Sequence, residues 1–588
     1  MKRVILLTFS VFLVILLTSC QRYDSENRVQ VTILDTDGCT IAKNGIWVIP
    51  GEDAVFMLDL EYGYSLAETD YSGTYRTTVK GTRLELTLEN VQYPTKVRLQ
   101  LTNRYCSITY SPNGGNGSEQ TISYDTSVHL RPNTATGYDL FAREGYVLES
   151  WNTEPDGSGT RIGLGSRVSV QNALTLYAQW LPWADAEDFT WSADETATIT
   201  GYHGNHETLV IPEMIDGKYV TAVAAGAFSG CEFSHLVLPK TMDYVAENAF
   251  TNCAVETVTI FDNIISIHDA SFLNCTQLKT LRINAIEAPY GYAYRKESVY
   301  ADKVDLLIRA QGEQKIVFYG GCSMWYNLDG FRANQTLGNQ FAIINMGLNG
   351  TANSPVQLQI MAAFLEAGDI LFHTPELSSK QQLLIGQGMS THDDKLWCGL
   401  EYNYDLFTLV NLQTVGGCFG SLCSYLDMKD KSTTYRQTYT DASGYTYCDS
   451  FGCLSVYRTE TQEELSDKVY LDPAYMDPQA MIRLQEYYNQ FANMGVTVYV
   501  SYACINMDAV PEAQQKNVDL MDTLFSASIE QMNGPVLISR LSDYLYRNND
   551  FYDTNYHLLS DSATNNTELW LRDLLIQLEK DGLWEVGK

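Results

Sequence analysis

The run Lys315-Ile-Val-Phe-Tyr319, followed at once by Gly320-Gly-Cys-Ser-Met-Trp325, decides how the C-terminal half of this 588-residue chain reads. A short run of apolar β-formers closed by a glycine pair has the composition of a strand buried on both faces. Two more such runs follow: Phe341-Ala-Ile-Ile-Asn345, leading into Met346-Gly-Leu-Asn-Gly350, and Asp369-Ile-Leu-Phe-His-Thr374, leading into Pro375. Helical spacing covers 356–366, and the runs 496–500 and 536–538 supply two later strands. Strands alternating with helices predict a doubly wound parallel α/β sheet. Such sheets bind ligands beyond the C-terminal ends of their strands. Gly320, Gly347 and Pro375 all fall at such ends.

Four blocks occupy these ends in order: Gly320-Gly321-Cys322-Ser323, Asn345-Met346-Gly347-Leu348, Gly368-Asp369 through Pro375-Glu376, and Asp553-Thr554-Asn555-Tyr556-His557-Leu558. With this order and spacing, residues 315–583 resemble the SGNH, or GDSL-like, hydrolase superfamily. The resemblance implies acyl transfer by a nucleophile in the first block, with the late histidine as general base and the nearby aspartate orienting it. Carried over, His557 is the base and Asp553 its orienter, and backbone N–H groups at Gly321 and Gly347 face the oxyanion. Past Lys315 the histidines are His373, His392 and His557, and only His557 sits in a motif. Two departures stand out. The usual serine position holds Cys322, with Ser323 next to it, so either side chain is a candidate nucleophile. The third block lacks its usual asparagine and presents Glu376, an acidic group poorly suited to an oxyanion. The reading calls for no cofactor and no metal.

N-terminal to this half, an internal period appears over 183–288. Phe228, Phe250 and Phe272 are 22 residues apart, and so are Cys231, Cys253 and Cys275. Strand-like runs at Leu209, Leu236, Val258 and Leu281 keep similar spacing, as leucine-rich-repeat coils do. The Ala227-Phe228 and Ala249-Phe250 phrases resemble the BspA-like subclass of bacterial surface proteins. Equivalent solenoid positions stack in a row and do not converge, so the three cysteines read as a buried ladder and not as zinc ligands. About three coils is near the minimum for a solenoid, which therefore leans on its neighbours for capping.

Residues 105–182 open with Ile108-Thr-Tyr-Ser-Pro-Asn-Gly-Gly115, pass through Trp151-Asn-Thr153 and Asp156-Gly-Ser-Gly-Thr160, and close with Leu174-Thr-Leu-Tyr-Ala-Gln-Trp180. They resemble the Listeria–Bacteroides repeat, or internalin B-repeat, which implies a small β-grasp-like spacer or weak binding unit. Residues 29–104 alternate with period two between Gly-containing turns, a β-sandwich pattern. The chain is thus expected to be multidomain, with N-terminal β modules, a short solenoid and a C-terminal α/β domain over 289–588.

The first 20 residues combine Lys2 and Arg3, an apolar run and Leu17-Thr18-Ser19-Cys20. They read as a signal peptide and resemble the bacterial lipobox, which implies lipid attachment at Cys20 and a polar tether over 21–28. That gives a protein held to a membrane by its N-terminal lipid and folded outside the cell. The net charge of −32 argues against nucleic acid and against anionic lipid or polymer. An insert at 411–471 carries Cys418-x4-Cys423 and Cys448-x4-Cys453, which read as disulfides stapling a flap, with zinc as the alternative. Two functions remain open: a surface esterase or acyltransferase acting on an acylated glycan or envelope ester, and a non-catalytic adhesin that binds a glycan or surface protein.

Overall fold

The computed structural model describes residues 28–34, 39–41, 43–60, 64–80, 83–103, 105–125, 140–166, 168, 173–286, 299–337, 340–348, 354–377, 394–400, 403–415, 417–431, 448, 451–454, 458, 460–461, 465, 468–476 and 478–584. Cys20 with its signal and tether expectations, and His392, lie outside the described residues. Among the described residues no helix is long and apolar enough to cross a membrane. Two compact units form. The first takes the described residues up to Tyr110 with those in 119–133 and 169–176, and the second takes the rest.

The first unit is β throughout. Val29–Ile33 pairs antiparallel with Gly45–Val48 and parallel with Thr95–Val97. Ala54–Leu60 lies antiparallel between Cys39–Ile41 and Arg83–Leu88. Its alternation sends Ala54, Phe56, Leu58 and Leu60 inward, where they meet Val29, Val31 and Ile33 of the other sheet in one core.

In the second unit, Tyr146–Asn152 pairs antiparallel with Arg161–Ile162 and with 177–182. Asn113, in the left-handed region at φ 43°, donates through its amide to the carbonyls of Pro155 (2.8 Å) and Ala178 (2.9 Å). The solenoid follows as two parallel ladders. One stacks Thr208–Val210, His235–Val237, Thr257–Phe261 and Thr280–Asn284. The other runs from Ala197–Tyr202 through Lys218–Val223 and Tyr244–Val245 to Ser266–Ile267. The 22-residue period is visible in the backbone, because Gly230, Asn252 and Asn274 hold φ 73°, 60° and 60° at matching turns. Glycine and asparagine are the residues that tolerate that region. Cys253 and Cys275 form the expected buried ladder, donating their thiols to the carbonyls of Phe228 (2.9 Å) and Phe250 (3.0 Å) one coil back.

Phe228, Phe250 and Phe272 stack at 4.7 and 4.9 Å between ring centroids. At one end Tyr202 closes the stack 5.5 Å from Phe228. At the other, Phe419 supplies a fourth ring 5.2 Å from Phe272, and Phe419 belongs to the α/β domain. Its helix, Cys418–Lys431, starts where Asp269 of the last coil accepts from the N–H groups of Phe419 and Gly420, both at 3.1 Å. Cys423 accepts the Ile267 N–H, a donor on the edge strand of the second ladder. Leu412 N–H donates to Lys279 O at 2.9 Å.

This segment overturns the expected disulfide staples. Among the described residues no disulfide is present. Cys418 and Cys423 pack at the end of the solenoid, and the Cys453 sulfur accepts from the Asn345 amide at 3.3 Å. A helix that must cover an open coil is held by its buried face, so its cysteines serve as small core side chains.

The C-terminal sheet has strands β1 (Lys315–Gly320), β2 (Ala342–Asn345), β3 (Ile370–Thr374), β4 (Thr497–Val500) and β5 (Val536–Leu537). All pairings are parallel and the order is β2-β1-β3-β4-β5. The chain therefore leaves β1 toward β2 and later returns on the other side as β3, which makes the ends of β1 and β3 the switch point. The opposite end is clamped by a buried ion pair, Lys315 Nζ to Asp369 Oδ2 at 2.8 Å, with Lys315 N–H donating to Oδ1 at 3.1 Å.

The Phe419→Ala substitution removes the terminal ring and opens a void of the kind that costs about 3 kcal/mol. Hydrogen exchange should show that loss at the amides of Thr257–Phe261 and Ser266–Ile267, with the amides of Ala54–Leu60 unmoved.

Candidate functional site

The glycine pair after β1 turns the chain into the short helix Cys322–Asn327, capped by Gly321. A side chain at Gly321 would collide with Glu376, since a Cβ there meets Glu376 Oε1 at 2.5 Å. Glu376, just past β3, fills that space and accepts from the Ser323 N–H (3.2 Å) and from the Ser323 hydroxyl. Ser323 is fully buried, whereas Cys322 is only half-buried. Burial pushes the Glu376 carboxyl up from its ordinary value, and the two Ser323 bonds pull against that rise. The carboxylate caps the first turn from outside, in the place a capping side chain at Gly321 would take.

The late block folds back onto the same helix. The buried Asn327 amide donates to Tyr556 O (2.8 Å) and accepts from Leu558 N–H (2.8 Å), gripping the segment on both sides of His557. The His557 ring stacks on Tyr326 with centroids 3.5 Å apart, and its Nδ1 lies 2.6 Å from Asp553 Oδ1. Cys322 and Tyr326 are four residues apart, so they share a helix face about 6 Å apart along the axis. The imidazole therefore lies on the face that carries Cys322. Arg458 covers Tyr326 from the insert, with its guanidinium 5.3 Å from the ring and 2.7 Å from Tyr326 O.

Gly347 is adjacent but committed. Its N–H donates to Asn345 Oδ1 at 2.8 Å, so receiving an oxyanion would require that bond to break. Asn345 also donates to Met324 O at 3.1 Å, and its own carbonyl receives Lys303 Nζ at 3.1 Å. Lys303 is fully buried and also donates to Gly347 O (2.6 Å) and Gly452 O (2.7 Å), which ties β2 to the insert. His373 is a core residue, 2.7 Å from the Tyr488 hydroxyl, and burial pushes its imidazole down to about 3. Tyr326, Asn327, Lys303 and Arg458 were not singled out from the sequence. Only the first two carried a signal, through their helical spacing from Cys322.

A second cluster of charge gathers where the repeats meet. Glu149 takes a two-pronged bond from Arg161, with NH2 to Oε1 at 2.7 Å and Nε to Oε2 at 3.3 Å, and a third contact from Arg282 at 3.4 Å. Asp405 of the α/β domain receives Arg161 NH1 at 3.3 Å and Gly163 N–H at 2.7 Å. Burial works against the Glu149 charge, but Arg161, with Ser150 and Arg282 adding to it, holds its carboxyl below the ordinary 4.5.

Comparison with known proteins bears on the repeats. Residues 202–299 match the BspA type leucine rich repeat region in six copies, and residues 107–179 match the Listeria-Bacteroides repeat domain. A stretch of 62 residues is 39% identical to a "Putative membrane protein" of Evansella cellulosilytica, covering 10% of this chain and 9% of that protein. A crystal structure of a leucine rich repeat protein of T. pallidum is 26% identical and covers 17% of this chain and 50% of that one, with a TM-score of 0.17. The chain thus spans about a tenth of that curated relative and half of that solved structure. It carries both repeat types, as surface proteins do.

A depressed carboxyl stabilises the fold fully above its unfolded value, and that contribution is lost as pH falls through the folded one. Below pH 4.5 the thermal midpoint of the wild type should therefore drop more steeply than that of Glu149→Gln, which has no proton to gain. Parallel curves would remove Glu149 from the acid response.

Proposed function

We propose that this chain is a cell-surface binding protein of the adhesin type, in which the solenoid presents the contact face and the α/β domain closes its open end. The observation that carries the reading is the outer face of the second ladder. Tyr219 and Tyr244 are 56% and 51% exposed there, while their strand neighbours Val220 and Val245 point into the core. Met214 pairs with Tyr219, and Ile265 lies beside the next rung. Exposed tyrosines on a rigid parallel ladder offer large contact area at little cost in side-chain freedom. The partner is a host or neighbouring-cell surface molecule. Lipid attached at Cys20 would hold the protein to its own membrane, and the acidic surface would keep the folded part soluble and projected. Beads coated with residues 28–588 should bind cultured epithelial cells, and Tyr219→Ser with Tyr244→Ser should cut retention by roughly tenfold. Equal retention by the double variant would discard this face as the contact.

A second reading rests on His557, stacked on Tyr326 one turn from Cys322 with Asp553 at its Nδ1. In it the Cys322 sulfur attacks an ester carbonyl, His557 takes the thiol proton and returns it to the leaving alcohol, and water then releases the acid from the thioester. Ser323 is less suited to attack, because its hydroxyl is buried and bound to Glu376. The reading expects iodoacetamide to label Cys322 ahead of Cys504, whose thiol burial pushes well up, and His557→Ala to slow that labelling. It also expects acetate release from p-nitrophenyl acetate that is lost in Cys322→Ala. Labelling at an unchanged rate in His557→Ala, with no release, would leave the α/β domain as a cap alone.

A further inference from the structure

At the charge cluster where the repeats meet the α/β domain lies an open cavity of about 390 Å³, lined by Arg161, Thr280, Arg282, Asp405 and Thr408. That volume falls in the range of small-molecule sites, which favour junctions between domains. Three modules contribute. Arg161 comes from the Listeria-Bacteroides repeat, Thr280 and Arg282 from the last rung of the first ladder, and Asp405 and Thr408 from the α/β domain.

The donors are unequally used. Arg161 spends its Nε and one N–H of each amino group on Glu149 and Asp405. Arg282 has one polar contact among the described residues, the 3.4 Å approach of NH1 to Glu149, and its side chain is 30% exposed. Arg282 lines the cavity, and its Nε and second amino group make no polar contact among the described residues, which leaves hydrogen-bonding capacity to spare. Burial, and then the nearby Arg161 charge, push the Arg282 guanidinium down from its ordinary value against the pull of Glu149 and Asp405, so an anion set against it would favour its charged form. The opposite wall is of another kind. Asp405 offers carboxylate oxygens, while Thr408, whose hydroxyl donates to Asp405 O at 2.6 Å, and Thr280 offer hydroxyl oxygens. A ligand that suits both walls has one carboxylate for the guanidinium fork and several hydroxyls for the acceptors.

We propose that this composite cavity binds a small acidic saccharide, its carboxylate on Arg282 and its ring hydroxyls against Asp405, Thr280 and Thr408. The proposal adds a second site to the surface-binding reading, on residues separate from Tyr219 and Tyr244. The test is isothermal titration of residues 28–588 with glucuronic acid, glucose and acetate. Glucuronic acid should bind saturably with one site, and glucose and acetate should each bind at least roughly tenfold more weakly. Arg282→Gln should weaken glucuronic acid by about tenfold or more and leave glucose unchanged. Because Arg282 also touches Glu149, Thr408→Val serves as a second variant away from that pair, and it should weaken glucuronic acid and glucose alike. Equal affinity for glucose and glucuronic acid, binding untouched by both variants, or no saturable binding to a protein with an unaltered thermal midpoint would each overturn the proposal. No saturable glucuronic acid binding together with cell retention that falls in the tyrosine variants would sink this site alone and leave the surface-binding reading intact.

Discussion

A solenoid of stacked coils cannot end in water. Its last rung presents unpaired backbone groups and its last aromatic presents a bare face, and both must be covered by something that is not another coil. Here the cover is specific. Phe419 continues the ring stack begun by Phe228, Asp269 receives the first N–H groups of the covering helix, and Cys423 takes the Ile267 donor. Each contact pairs a group left over on one element with a group left over on the other, since a helix start has spare donors and a ladder end has spare donors and ring faces. The arrangement of the second unit follows from this exchange.

The sheet behind the cap organises chemistry by topology. Strand order places the β1 and β3 ends side by side, and the residues found there divide into two layers. The lower layer is locked, with Ser323 held by Glu376, the Gly347 N–H held by Asn345, and Asn345 held by Lys303. The upper layer is more open, with half-buried Cys322 on the helix face that also carries Tyr326 and, against it, His557. Packing thus treats two neighbouring residues of one tetrapeptide differently. Successive helical positions point about 100° apart, so one side chain faces the sheet while the next faces outward.

Much of this was legible in residues. The 22-residue recurrence of Cys foretold a thiol ladder, and the same recurrence of Phe turns out to build a ring column, because one coil of fixed length must return the chain to the same place. The apolar runs after Lys315 foretold parallel strands, since few other environments bury both faces of a run such as Ile343-Ile344. The role of Cys418 and Cys423 was not legible. Matched spacing suggests a covalent staple, but the same i, i+5 interval places both on a helix whose partner lies about 150 residues earlier in sequence. Long-range contacts of that kind leave no local pattern. Arg458 and Lys303 were invisible for the same reason, since each earns its place only through carbonyls supplied by distant turns.

The boundary near residue 288, evident as a change of sequence character, is not a boundary in packing. One apolar cluster runs from Ala184 through the phenylalanine column and Phe419 into β1, β3 and the C-terminal helix residues Trp570 and Leu578. The insert explains the continuity. Its helix Cys418–Lys431, with Tyr404–Leu409 just before the insert, lies against the last coil, while Gly452 and Arg458 press on Asn345 and Tyr326 at the switch point. A single inserted segment therefore closes the solenoid and braces the site. Where one segment carries both tasks, loosening the solenoid end also removes support from beneath Tyr326 and His557, so the repeats and the α/β domain are stable as one body and not as two.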